Sequence, residues 1–143
     1  SPEKWANRRA SKKSSLHLKM KDQTRARTLQ LNEKIKVLYG KSGGDNLKLL
    51  RAARAWDYWV HLRDEPGSHG LVVREKSTEP SDREWQQIFQ RLVEESFGAR
   101  ATSRLGDRMT MIICEVRHVR PIKGDKLGRV NFQNEKNRTF VYS

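Results

Sequence analysis

A chain of 143 residues, 35% hydrophobic and 33% charged, has room for one modest core, and a formal net charge of +13 favours a polyanionic partner. No stretch reads as a transmembrane span or a signal peptide. The single cysteine, Cys114, excludes an intramolecular disulfide and a cysteine-built zinc site.

Nucleic acid is therefore the first candidate partner, an acidic membrane surface the second, and a reducing, cytoplasmic setting is expected. The chain opens on Ser-Pro rather than Met, and the expectation is an excised or processed piece of a longer protein.

In chain order, Ser1 to Lys36 holds eleven cations against Glu3, Asp22 and Glu33, which is +8 of the net charge. Apolar residues before Leu29 are sparse and aperiodic, so residues 1–33 are expected to form a basic, flexible tail with Arg8, Arg9, Lys12 and Lys13 as phosphate contacts. The ordered domain is expected over residues 34–143. "KIKVLYG" alternates as a strand that ends at the glycines of "GKSGGDN". "LKLLRAARAW" fits a short helix or irregular structure. "DYWVHLRD" is a second strand with Tyr58, Val60 and Leu62 on one face and Trp59, His61 and Arg63 on the other. The turn "EPGS" then leads into "HGLVVRE", a third strand, and Gly67 is expected to supply a backbone geometry other residues resist.

The clearest helix runs from Asp82 to Phe97. Ser81 and Glu84 form a capping box, the apolar residues Trp85, Ile88, Phe89, Leu92, Val93 and Phe97 recur at helical spacing, and Gly98 marks the stop. "RMTMIICEVRHVRPI" reads as one long central strand, apolar on both faces and ended by Pro121, with Cys114 as a small core residue. "GRVNFQ-NEKN-RTFVYS" reads as a closing hairpin. This order gives an α+β domain with a largely antiparallel or mixed sheet, one long amphipathic helix on one face, and the other face free for a partner.

Two histidines, His61 and His69, flank the Pro-Gly-Ser turn. Metal binding would need further converging ligands, and no H-E-x-x-H or similar spacing is present. Ser68 beside His69 lacks a strained elbow, and "GKSGGDN" lacks the order of a phosphate-binding loop. The chain is thus expected to be neither an enzyme nor a carrier of metal or cofactor. RNA recognition fits better, because flat rings stack on bases while cations and short polar groups hold phosphate. Trp56, Tyr58, Trp59, His61 and His69 supply rings. Arg63, Ser68 and the amides near Gly67 supply donors.

Taken together, "VLYGKSGGDNLKLL", "DYWVHLRDEPGSHGLVVRE" and "CEVRHVRPIKGDKLGRVNFQNEKNRTFVY" resemble the NFACT-R domain, the RNA-binding module of ribosome-quality-control proteins. The matching positions are Gly40 and Asn46; Asp57, Trp59 and His61; Pro66, Gly67, Ser68 and His69; and Arg120, Pro121, Lys123, Gly124, Gly128 and Val130. Gly70 departs from the branched apolar residue usual in that family, as does the heavy helix "WQQIFQRLVEES". The resemblance implies binding of transfer RNA or large-subunit ribosomal RNA, with the ribosome as a further partner and no membrane. The candidate contacts are Arg8, Arg9, Lys12, Lys13, Lys41, Trp59, His61, Arg63, Ser68, His69, Arg120, Lys123 and Lys126. The alternative is a protein-interaction module that docks on an acidic partner.

Overall fold

The computed structural model describes residues 27–143. The expected flexible tail, with Arg8, Arg9, Lys12 and Lys13, lies outside the described residues up to residue 26. The sheet, however, already begins at Arg27, ahead of the expected boundary at Lys34. Strand β1 (Arg27–Gln30) pairs antiparallel with β2 (Ile35–Gly40), and Leu29 packs at the edge of the core.

Helix α1 (Gly43–Ala52) follows, capped by the Ser42 hydroxyl on the Asp45 amide, and resolves the ambiguous "LKLLRAARAW" in favour of helix. Strands β3 (Tyr58–Leu62) and β4 (His69–Arg74) form the expected antiparallel pair, with Val60 opposite Gly70. Helix α2 (Asp82–Phe97) has both hydrogen bonds of its capping box, between Ser81 and Glu84. A 3-10 stretch, Gly98–Arg104, continues beyond it.

The long strand expected from Arg108 to Pro121 is broken in two. Strand β5 (Arg108–Glu115) belongs to the main sheet, and after a 3-10 turn the chain resumes as β6 (Val119–Pro121) in a separate ribbon. The break has a cause in the backbone: Val116 and Arg117 donate to the carbonyls of Asp57 and Ala55 rather than continuing a ladder. The expected closing hairpin is likewise not formed. Strand β7 (Val130–Phe132) pairs with β6, whereas β8 (Lys136–Val141) pairs with β5, the chain turning away at Asn134, whose φ is 58°.

The architecture is α+β: an antiparallel six-stranded sheet in the order β1-β2-β4-β3-β5-β8, a two-stranded antiparallel ribbon, and the long helix α2 packed on one face. Trp85, Ile88, Phe89, Leu92 and Val93 of α2 meet Val37, Tyr39, Val60, Leu62, Val72 and Met111 of the sheet. The Tyr39 hydroxyl donates to the Ile88 carbonyl at 2.8 Å, which ties sheet to helix at the centre of the core. Gly70 faces this layer, where a Cβ would stand 2.5 Å from Val60 Cγ2 and 3.2 Å from the Tyr39 ring. That crowding explains why no branched residue occupies the position.

The second face is not free, contrary to the sequence expectation. Leu49 and Ala53 of α1 and its trailing turn cover Leu38 and Leu71, while Val119, Val130 and Phe132 of the ribbon cover Trp59, Ile112 and Cys114. The two covers touch. Gly128, at φ 72°, lies so close to Gly43 that a Cβ on either would fall within 2.7 Å of the other segment's backbone. A gap remains between the ribbon and the β3–β4 turn, and it holds the candidate site. Among the described residues no helix is long and apolar enough to cross a membrane.

Candidate nucleic-acid interface

Side chains of an extended strand alternate, so Trp59 and His61 share the face opposite α2 while Val60 and Leu62 enter the core. The β3–β4 register sets His61 across from His69. The result is a ring cluster built from two neighbouring strands. The Trp59 and His61 rings are nearly parallel with centroids 5.5 Å apart, and His69 stands edge-on to both, 5.3 Å from Trp59 and 4.8 Å from His61. Phe132 of the ribbon completes the cluster at 5.3 Å from Trp59.

This packing corrects one expected role. Trp59 is only 3% exposed, so it forms the floor of the site and does not offer an open face for stacking. Its indole Nε1 is buried without a hydrogen-bond partner among the described residues. An unmet buried donor of this kind costs roughly 1–3 kcal/mol. His69 is also buried, its backbone amide donating to Asn46 Oδ1 at 3.4 Å. Burial pushes the His69 imidazole down to about 3, with nearby His61 adding to the effect. Burial lowers His61 as well, partly offset by the backbone of Leu62 and Gly67. Both rings are therefore neutral near pH 7, each with one N–H donor and one acceptor nitrogen.

The turn beside them works differently from the expectation. Gly67 does not adopt a positive φ; that geometry falls on Asp64, at 62°. Gly67 is needed for a close approach, because a Cβ there would lie 2.7 Å from the Ser96 hydroxyl at the end of α2. Ser68 shares that anchoring. Its amide donates to Ser96 Oγ and its hydroxyl to the Glu95 carbonyl, both at 3.1 Å, so the expected phosphate donor is committed to holding the turn on α2. Asp57 is equally structural. Its carboxylate accepts from the backbone amides of Arg54 at 2.8 Å and Arg74 at 3.2 Å and from the Arg54 guanidinium. Trp56 and Tyr58, also considered as stacking rings, lie elsewhere: the Trp56 indole donates to the Arg74 carbonyl, and Tyr58 packs beside Trp85.

The gap between turn and ribbon is a cleft of about 650 Å³. One wall is the β3–β4 turn from Arg63 to Gly67; the other is Ile122, Leu127, Arg129, Val130 and Phe132 of the ribbon and its loop; Trp59, His61, His69 and Ile112 close the base. Arg63 reaches this cleft already engaged, its guanidinium donating to Asn137 at 2.7 Å and Glu135 at 2.9 Å. Lys123 and Lys126 are exposed on the ribbon loop, and Lys41 is exposed beside the start of α1, which that loop touches through Gly43. None of the three lysines pairs with a carboxylate among the described residues. Arg120 is exposed on β6, bonded only to the carbonyls of Arg117 and Val119, each at 3.0 Å, and lines a smaller groove of about 160 Å³ with Arg117, His118 and Asn131.

The structure thus brings Trp59, His61, Arg63 and His69 to one cleft and removes Ser68 from it. Sequence reading missed Ile122, Leu127, Arg129, Val130 and Phe132. For Arg129, Val130 and Phe132 the signal was the alternation in "GRVNF", which marks a strand without saying what it covers; Ile122 and Leu127 lie outside it. Among the described residues no cluster of three or more His, Cys, Asp or Glu side chains is arranged to hold a metal ion.

Comparison with family models and with curated proteins gives no match. Among solved structures, the fold is similar to that of the C-terminal part of the fibronectin/fibrinogen-binding protein of Streptococcus suis, at 25% identity and a TM-score of 0.65. The similarity covers 82% of this chain and 45% of that one, so the chain spans less than half of the relative's length.

Proposed function

We propose that this chain is an RNA-binding module of the NFACT-R kind, recognising transfer RNA or large-subunit ribosomal RNA in cytoplasmic, ribosome-associated quality control or translation, and catalysing no reaction itself. The observation that carries this reading is the cleft: the half-exposed rings of His61 and Phe132 line it, and the ribbon loop beside it carries exposed Lys123 and Lys126. A base stacks on such rings while nearby cations hold its phosphate. The overall charge of +13 agrees with it.

Sheet geometry adds a further support. Arg27 pairs with Tyr39, and the neighbouring Gly40 pairs with His69, so the basic segment joins the sheet at the end of the strands where the cleft lies. Fluorescence anisotropy with transfer RNA over a salt series tests the proposal. Affinity is expected to fall by about 0.7–0.9 log units per log unit of salt for each phosphate neutralised. A flat salt response, or no binding at low salt, overturns it.

The second reading is a module that docks on a protein, and it rests on the name of the Streptococcus suis relative, which describes binding of fibronectin and fibrinogen. Competition separates the two. On the RNA reading, transfer RNA displaces any protein ligand held by these lysines; a protein ligand that excess RNA leaves in place favours the second.

A further inference from the structure

We infer that the cleft receives one unstacked nucleobase, with its phosphate held by Lys123 and Lys126 of the ribbon loop, so that the module prefers single-stranded or looped RNA to duplex; this rests on the RNA-binding reading and specifies its ligand. Size is the first argument. A volume of about 650 Å³ lies in the range of pockets that enclose a small flat ligand, whereas a helical duplex cannot enter a gap bounded by a turn and a two-stranded ribbon.

The division of chemistry is the second. The base and the ribbon wall carry the apolar Ile112, Val130 and Phe132 opposite a turn wall with Arg63, Asp64 and Glu65, and the lip carries Leu127 at 69% and Ile122 at 37% exposure. The cations Lys123 and Lys126 lie on the same loop as those two apolar residues. A nucleotide has the matching division, an apolar flat ring at one end and an anion at the other. A duplex presents only its phosphates and groove edges to such a surface.

The third is the hydrogen-bonding inventory at the base. His69 offers a donor and an acceptor, as the edge of a base does, while His61 is already bonded to the backbone of Leu62 and Gly67. Trp59 Nε1 is a buried donor still without a partner among the described residues. That atom is closed to solvent, so an acceptor reaches it only when the ribbon packed on Trp59 shifts outward.

The test uses the whole chain and two probes of about ten nucleotides: single-stranded oligoadenylate with one 2-aminopurine, and the same strand in a duplex. The parent is expected to bind the single strand more tightly and to change the 2-aminopurine emission on binding. Leu127→Ser and Ile122→Ser alter exposed or half-exposed positions, and their melting temperatures check that the fold is kept. Each is expected to lower the ratio of single-strand to duplex affinity roughly tenfold, the scale of losing one base contact. Lys123→Ala with Lys126→Ala should weaken both probes and leave that ratio near the parent's. Equal affinity of the parent for the two probes, with neither apolar variant changing the ratio, overturns the inference while leaving RNA binding intact. Failure of the parent to bind either probe or transfer RNA overturns the underlying reading instead.

Discussion

At the residue level, the histidine pair carries a consequence for pH. An unfolded histidine titrates near 6.5, whereas burial holds His69 at about 3 and His61 below its ordinary value. Above pH 6.5 both states are neutral and the pair does not affect folding. As pH falls below 6.5, the unfolded chain takes up protons that the folded chain refuses, and stability is lost progressively toward pH 3. Each refused proton removes up to about 1.4 kcal/mol per pH unit. Urea midpoints measured from pH 7.5 to pH 5 are expected to decline, and His69→Asn should give a shallower decline than the parent. Identical slopes would mean that His69 titrates normally in the folded protein. The same pair illustrates what was legible early. Spacing across a turn was enough to place His61 beside His69, because antiparallel register follows from it. It could not reveal that Ser68 and Gly67 serve α2, since the Ser96 contact spans 28 residues and leaves no local pattern.

At the level of elements, α2 is the part most completely written in the sequence. Its cap, apolar stripe and stop signal agree with one another, and each is realised at the expected residue. Trp85 is 7% exposed and Leu92 is 0%, so Trp85→Ala and Leu92→Ala should each lower the unfolding free energy by roughly 2–5 kcal/mol. Chemical denaturation reads that loss directly, and an unchanged midpoint would place the helix face outside the core. Strands β5 to β8 were less legible for a physical reason. "TMIICEVRHV" is apolar enough for one unbroken strand, and the break at Val116 arises from carbonyls of Asp57 and Ala55 supplied by a distant segment. The mistaken hairpin between β7 and β8 has a similar origin. Asn134 makes a turn of suitable sequence, but a turn specifies a change of direction and not the partner on its far side.

For the molecule as a whole, charge is unevenly placed, with +8 of the net +13 between Ser1 and Lys36. Removing Ser1 to Lys21 takes away seven cations and one carboxylate, all ahead of the first strand at Arg27. The expected outcome is weaker binding of transfer RNA and a shallower salt slope, with the melting temperature close to that of the full chain. An unaltered slope would assign the whole electrostatic contribution to the folded part, through Lys41, Arg120, Lys123 and Lys126. The contrast between the two forms thus measures how binding divides between segment and cleft.

The strand order also fixes how the protein responds to mechanical load. Strands β1 and β8 are opposite edges of the sheet, and the antiparallel registers bring Arg27 level with Lys136. The two attachment points are separated by five inter-strand spacings, roughly 24 Å in a flat sheet. Tension applied between these two residues therefore acts across the strands rather than along them. Hydrogen bonds of the β1–β2 and β5–β8 ladders then meet the load one after another, as in a zipper, instead of sharing it in shear. In an optical trap, pulling through residues 27 and 136 should open the sheet from its edges at a lower force than pulling through a pair placed to shear β3 against β5.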